Sequence, residues 1–341
     1  MAKERIALWD NVKFILIFFV VLGHFADFFT GESAVCRSIF LFIYAFHMPM
    51  FFFIAGLFHS EKDVGKKVLF YLSGGVLLRM TLVVLGRVYG NPSPAFPLFN
   101  EDGVPWFLYA LAAYTLLSYL LRDQNLRFIL PAAVALGCFI GYDARVGDTL
   151  CLSRIIVFAP FYFAGVLAEP GKLFALRAKH RFLAVPAAAV LAGWAAACFL
   201  KPDVLNALRH LFTGRHPFSE GVAPYGPAVR LGCYALAAVL GAAVIVLVPA
   251  SRLPGVTAMG ARSLNVYFWH WPLYMTLEHF LHIKSLFGMG VAGKAGFLLI
   301  AVPVTVLLAA VPVFDFPLKQ VRKAVFRAPE AASNDSPPCE T

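Results

Sequence analysis

The sequence has little charge for its length. Only 14% of its 341 residues are Asp, Glu, Lys or Arg, whereas about a quarter of the residues in soluble domains are charged. Hydrophobic residues make up 60% of the chain, and the mean hydropathy is +0.75. This composition excludes an ordinary soluble domain and indicates a membrane protein.

Cysteine motifs of metal sites and disulfide frameworks are also missing. The six cysteines form no C-x-x-C pair and show no metal-ligand spacing. We therefore predict neither a metal site nor a structural disulfide. A Gly-rich phosphate loop and an internal repeat are missing as well.

Long apolar runs are what the sequence contains instead. About 20 apolar residues are enough to cross a bilayer as a helix. Such runs occur near 14–30, 39–58, 68–89, 105–121, 128–141, 155–168, 182–200, 229–250, 264–281 and 293–314. We therefore predict an all-α polytopic membrane protein with about ten transmembrane helices in one bundle over residues 1–326. The polar residues 327–341 are predicted to be a disordered tail.

Basic residues are distributed unevenly between the predicted loops. If both termini are cytoplasmic, the inner segments hold most of the Lys and Arg residues outside the spans, as expected for cytoplasmic loops. We therefore predict an even number of spans and cytoplasmic termini. The net charge of +10 is then explained by basic loops that lie beside membrane lipids. We therefore predict no nucleic-acid partner.

The first predicted span, "DNVKFILIFFVVLGHFADFF", carries ionisable residues on one face. Lys13 and His24 are eleven residues apart, so they lie about three helical turns and roughly 16 Å apart on the same side. Asp10 falls close to the same line. Ionisable groups at membrane depth usually face a bundle interior or a cavity and have a function. A histidine that merely packs in the core is the alternative.

Other predicted spans carry ionisable residues at comparable depth. His47 precedes Pro49, which weakens a helix where the backbone lines a cavity. Arg79 lies too deep in the third span for its charge to reach the interface easily. His270 and Glu278 lie two turns apart in "SLNVYFWHWPLYMTLEHF". The structural alternatives are a cap at a kink for the histidine at 47 and an ion pair between the arginine and the glutamate.

Four stretches of the sequence resemble the integral-membrane acyltransferase family 3, and within it the group similar to bacterial fucose 4-O-acetylases. They are "WDNVKFILIFFVVLGH", "FHMPMFFFIAGLF", "PWFLYAL" and "NVYFWHWPL". The resemblance implies a ten-helix enzyme of the bacterial inner membrane. Such an enzyme transfers an acyl group, usually acetyl from cytosolic acetyl-CoA, to a hydroxyl of a sugar or another envelope precursor. It also implies that His24 is essential, together with the basic residue eleven positions before it, Lys13.

The sequence departs from this family at two positions. Relatives often carry two arginines three residues apart in the third span, whereas here Arg79 is followed at that spacing by Leu82. Lys13 stands where many members have arginine, which keeps the charge but loses the two-pronged hydrogen bonding of a guanidinium. The first departure puts a role for an arginine pair in handling the CoA donor in doubt.

Acyl transfer from a thioester to an alcohol requires a base, an oxyanion donor and positive charge for the CoA phosphates. A neutral histidine suits the base, and Asp27 lies at i+3 from the first-span histidine, where it could orient the ring. We predict as catalytic residues His24, His47 and Glu278. We predict as acetyl-CoA-binding residues Lys13, Arg79 and His270. The predicted acceptor is a carbohydrate or lipid-linked glycan, with no metal.

Two other functions are compatible with the composition. A secondary transporter also has about ten spans, broken helices and buried His, Arg and Glu residues that relay protons. It would be expected to show a two-fold pseudo-repeat, which the sequence lacks. A membrane sensor or assembly component without chemistry is the third interpretation. Conversion of labelled acetyl-CoA by the purified protein distinguishes the enzyme from both.

Overall fold

The computed structural model describes residues 6–90, 103–147, 149–215, 217–288 and 290–327, except for the side chain of Arg181. The α-helices in these residues are α1 Ala7–Asp27, α2 Ala34–Tyr44, α3 His47–Leu57, α4 Val64–Val88, α5 Trp106–Leu120, α6 Leu126–Phe139, α7 Leu152–Leu167, α8 Pro170–Lys179, α9 Ala184–Leu200, α10 Pro202–Leu205, α11 Arg209–Thr213, α12 Gly226–Leu247, α13 Val256–Ala261, α14 Ser263–Leu281, α15 Ile283–Phe287, α16 Gly290–Leu299, α17 Ala301–Ala310 and α18 Leu318–Phe326. The predicted all-helical class is confirmed for the described residues.

The described helices support a multi-pass protein but do not confirm the predicted count of ten spans. Five helical segments are long and apolar enough to cross a membrane, and up to seven if each of two sharply bent helix pairs is one span. They include α1, α2 with α3, α4, and α16 with α17. A polytopic membrane protein is therefore plausible, but ten spans are not shown. Helices α5 and α6 are shorter, and α14 carries His, Glu and Trp residues that lower its hydropathy. The predicted disordered tail lies outside the described residues, apart from Arg327.

The second apolar segment is broken in its middle. Helix α2 ends at Tyr44 and α3 begins at His47. Pro49 is the third residue of α3, where the missing backbone N–H is not needed. In a continuous helix its ring would clash with the carbonyl of Ala45, four residues earlier. The predicted weakening by this proline is confirmed, and the break lies just before it.

Helices α3 and α7 cross at very short distance because each has a glycine at the contact. A Cβ atom on Gly56 would lie 2.0 Å from the backbone oxygen of Tyr162, and one on Gly165 would lie 2.1 Å from that of Phe53. In both cases the clashing atom belongs to a helix backbone, which cannot move aside to make room for a side chain. This crossing fixes the last turns of α3 and α7 relative to each other.

Helix α1 is enclosed by other helices along its length. It packs against α2, α3, α13, α14 and α17. Near its start, Asn11 donates hydrogen bonds to the carbonyls of Pro249 and Ser251 and accepts one from Thr257. The rings of Trp9 and Phe58 meet with centroids 6.2 Å apart. The beginning of α1 therefore lies beside the end of α3, and we call this end of the bundle the basal end.

Candidate active site

Three histidines from three helices meet in the interior of the bundle. The rings of His24 and His270 are stacked, with centroids 5.2 Å apart. The ring of Trp271 meets the first of these edge-on at 5.4 Å. Tyr44 joins the third histidine, since its ring centroid lies 6.4 Å from that of His24 and 4.7 Å from that of His47. The structure thus brings together the three histidines that the sequence singled out.

The hydrogen bonds of two histidines define their tautomers. Nδ1 of His47 lies 2.9 Å from the carbonyl oxygen of Ile43, across the break between α2 and α3. Nδ1 of His270 lies 2.7 Å from the carbonyl oxygen of Tyr267. A carbonyl only accepts, so Nδ1 carries the proton in both neutral rings and Nε2 is left as an acceptor. Nε2 of His270 is buried and has no hydrogen-bond partner among the described residues.

His24 differs from the other two histidines in accessibility. His47 and His270 are 3% and 1% exposed, whereas His24 is partly exposed although it lies deep in the bundle. Its contacts with the described residues are ring contacts, and no hydrogen bond is among them. Of the three, His24 is therefore the one whose nitrogens are available to a bound molecule.

A glycine lets the aromatic wall of this site approach α1. A Cβ atom on Gly23 would lie 3.0 Å from the ring of Tyr44. That ring is itself stacked on Phe40, with centroids 3.7 Å apart, and has little freedom to move. The glycine that precedes His24 in the sequence therefore helps to set the distance between the histidine and α2.

A cavity of about 180 Å³ lies beside the basal half of α1. Its lining residues are Lys13, Ile17, Val20, Met48, Phe51, Ile54, Ala55, Tyr71, Phe107, Leu111, Ser263, Leu264 and Tyr267. The three that belong to α1 follow helical spacing, and the next residue on that face is His24. The cavity therefore extends from Lys13 to one turn below the histidine, with walls that are mostly apolar.

Lys13 lies at the basal end of this cavity. Its Nζ atom is 2.7 Å from Oδ1 of Asp10, one turn earlier on α1. The aspartate side chain is almost completely buried, whereas about a quarter of the lysine side chain is exposed. The carboxylate therefore holds the ammonium group at the cavity while the other side of the ammonium stays accessible.

Arg154 belongs to the same region and was missed by the sequence analysis. It lies in the first turn of α7 and is buried, and its guanidinium carbon is 4.7 Å from the ring centroid of Trp106. It is close enough to His24 to act on it electrostatically. The predicted span began at residue 155, so this arginine counted as part of a loop. The signal that could have found it is the stretch "SRIIVFAPF", in which the arginine directly precedes apolar residues.

The other two predicted residues, Glu278 and Arg79, lie on α14 and α4. Glu278 is eight residues beyond His270 on α14, about 12 Å along the helix axis, and its Oε2 accepts the backbone N–H of Lys284 at 2.8 Å. Arg79 is partly buried on α4, a helix that packs against α5 and α14. Along α14, more than two helical turns therefore separate Glu278 from His270.

Asp27 lies at the end of α1 opposite the basal end. Arg209 donates to its carboxylate, and the same guanidinium donates to Thr30 Oγ1 at 3.0 Å. The guanidinium carbon also lies 4.2 Å from the ring centroid of Phe40. The carboxylate is therefore engaged by an arginine of α11 instead of by the ring of His24.

Comparisons with known proteins complete the description of the site. A family model described as an acyltransferase domain matches residues 6–313, which include all three histidines. No curated protein and no solved structure matches the chain. Among the described residues, no three His, Cys, Asp or Glu side chains form a group suited to a metal ion.

Proposed function

The chain belongs to the acyltransferase family whose domain covers residues 6–313, and from this premise we propose that it transfers acetyl groups from acetyl-CoA to a carbohydrate hydroxyl. Family membership indicates acyltransferase activity, and the apolar helices support a multi-pass membrane protein. The acetyl donor, the sugar or lipid-linked glycan acceptor, the likeness to fucose 4-O-acetylases, the bacterial inner membrane and the cytoplasmic termini are parts of the proposal.

One observation carries this proposal: the cavity that begins at Lys13 and leads toward His24. The extended pantetheine arm of CoA is on the order of 15 to 20 Å long, comparable to the roughly 16 Å that three helical turns put between these two residues. The arm is narrow and mostly uncharged, which suits the apolar walls. A donor entering from the basal end would therefore present its thioester to the histidine.

In this mechanism His24 is the general base. Its imidazole takes the proton of the acceptor hydroxyl while the hydroxyl oxygen bonds to the thioester carbonyl carbon. The tetrahedral intermediate then collapses, the carbon–sulfur bond breaks, and the CoA thiolate takes the proton from the imidazolium. The product ester and free CoA leave the histidine neutral for the next cycle.

Arg154 is the group we assign to the developing oxyanion. A guanidinium keeps its charge under all physiological conditions, and positive charge placed at a developing oxyanion lowers the barrier most in a water-excluded site. His47 and His270, in the tautomers given by their hydrogen bonds, have only an acceptor nitrogen left. We propose that both help to position His24 and the aromatic rings around it. A catalytic role for His47 and donor binding by His270 stay predictions. Roles for Arg79 in donor binding and for Glu278 in catalysis stay predictions.

The proposal is tested with the purified full-length protein in lipid nanodiscs. Acetyl-CoA labelled in the acetyl group is supplied together with glycolipids and polysaccharide precursors extracted from bacterial envelopes. We expect label in an ester-linked glycan, or slow hydrolysis of the thioester when the acceptor is omitted. A protein that neither binds nor consumes acetyl-CoA, but exchanges a labelled solute across a vesicle membrane, would overturn the proposal in favour of a transporter.

A further inference from the structure

Helix α18 packs across the basal part of α4. Leu318 is buried at its start, and the ring of Phe326 near its end lies 6.5 Å from that of Phe70. Between them, the guanidinium carbon of Arg322 lies 5.2 Å from the centroid of the same α4 ring. Stacking on an aromatic face restricts the orientation of a guanidinium without using its donors.

The segment before α18 is tied to the beginning of α14. Oδ1 of Asp315 accepts hydrogen bonds from Arg262 at 2.7 Å and from Asn265 at 2.6 Å. The bond from the arginine holds the pKa of this carboxyl below its usual value. In addition, the indole N–H of Trp269 donates to the carbonyl of Phe316 at 2.7 Å. The helix is therefore held at two places, on α4 and on α14.

Both of these helices contribute walls to the donor cavity. Tyr71, the residue after Phe70, lines it from α4, and Ser263 and Leu264 line it from the first turn of α14. Arg322 is close enough to Tyr71 to act on its hydroxyl electrostatically. The guanidinium therefore lies beside the basal rim of the cavity, on the same side as Lys13.

The exposed face of α18 is basic and largely uncompensated. Lys319 lies 3.8 Å from the Asp315 carboxylate, at the edge of ion-pairing distance. Arg322 and Lys323 are exposed and have no carboxylate partner in the part of the chain that the structure describes. An oriented guanidinium with unused donors is well suited to phosphate oxygens. An amphipathic basic helix could also contact anionic lipid, but lipid contact requires no cavity at its side.

We propose that Arg322 binds the nucleotide phosphates of the acyl donor, so that α18 forms the part of the donor site outside the cavity. This inference rests on the proposed function, because it assumes that the cavity holds the pantetheine arm. The donor would then be bound at two places: the arm within the bundle beside Lys13, and the phosphates on α18.

The test compares two ligands on the full-length protein in nanodiscs of neutral lipid. CoA carries the nucleotide phosphates, whereas S-acetylpantetheine has the arm without them. We expect Arg322→Gln to weaken CoA binding about tenfold, as for loss of one hydrogen-bonded charge, and to leave S-acetylpantetheine binding unchanged. Arg322→Lys keeps the charge without the planar fork and should lie between the two. Lys179→Gln on α8, which removes one exposed cation elsewhere, is the control and should bind CoA normally.

The outcomes separate the two hypotheses. If the wild-type protein binds neither ligand, the proposed function fails. If the wild type binds CoA and both Arg322 variants bind it as well as the wild type does, the inference on α18 is wrong while the proposed function stands.

Repeating the measurement in nanodiscs with anionic lipid tests the other source of phosphate, the lipid headgroups. If the variants change only in the anionic nanodiscs, for example in melting temperature, α18 is a lipid contact and the inference is overturned. If Arg322→Gln does not fold, the comparison of the two ligands on Arg322→Lys decides.

Discussion

The two halves of one face of α1 have different surroundings. In the basal half, Lys13, Ile17 and Val20 border an apolar cavity. One turn further along the same face, His24 is surrounded by imidazole and aromatic rings. The basal half leaves space for a long, narrow group, whereas the second half brings together polar atoms. This division matches an enzyme in which one region holds the donor and the next carries out the chemistry.

Two histidines of the polar half lie next to a helix break or a proline. His47 follows the break between α2 and α3, and its ring hydrogen-bonds the carbonyl of Ile43 across that break. His270 lies two residues before Pro272, and its ring hydrogen-bonds the carbonyl of Tyr267. The basal half of α1, by contrast, borders side chains that are mostly apolar.

The largest expected effect comes from the histidine at the junction of the two halves. His24→Gln removes the general base, and we expect the rate of acetyl transfer at saturating donor to fall by about 10² to 10⁴, with CoA affinity unchanged. Initial rates and CoA binding in nanodiscs measure the two effects. His279→Gln is the matched control, since this histidine is exposed and stacked on Tyr89. Near-normal turnover of the first variant would make His24 a packing residue.

Filling the cavity should affect only the basal half of α1, where we propose that the donor binds. Ala55 lines the cavity and is partly exposed, so the ring of Ala55→Phe would occupy space needed by the pantetheine arm. We expect the KM for acetyl-CoA to rise at least about tenfold, which corresponds to roughly 1.4 kcal/mol of lost binding. The same exchange on the exposed side of α9, Ala188→Phe, should leave KM unchanged. If both variants behave alike, the cavity is not the donor site.

Removing the cation at the basal end should have a moderate effect. Lys13→Gln removes a charge that can pair with the donor, and we expect KM for acetyl-CoA to rise by about threefold to tenfold, since Asp10 already neutralises part of this charge. Turnover at saturating donor should change little. Lys13→Arg keeps the charge and serves as the control. A loss of turnover without a change in KM would place Lys13 in the chemistry and contradict the division of α1 into two functions.

The smallest effect is expected from Asp27, three residues beyond His24 on α1. Asp27 pairs with Arg209, and the two side chains are 36% and 26% exposed. Pairs of this kind contribute about 0 to 1 kcal/mol to stability. Asp27→Asn should therefore lower the melting temperature slightly and leave the transfer rate within about twofold of wild type. A large fall in the rate, with the protein still folded, would show that Asp27 orients His24 after all.

The sequence by itself determined the membrane class, the helical architecture and the polar stripe of α1. Hydropathy and the helical period are local properties, so the spacing of Lys13 and His24 placed them on one face before any neighbour was known. Local pattern also singled out His47 and His270 as ionisable residues within apolar helices. Pro49 indicated the region where α2 and α3 separate.

Only the tertiary structure decided which residues meet. Arg154 acts on His24 although the two are 130 residues apart in the chain. The close crossing of α3 and α7 at Gly56 and Gly165 likewise has no signal in the period of either helix. The partner of Asp27 is an arginine 182 residues away in the chain. Two apolar segments are sharply bent in the structure, and hydropathy does not show where a helix bends. Contacts between distant segments depend on the packing of whole helices against one another. A single sequence shows only which face of each helix is apolar and which is polar.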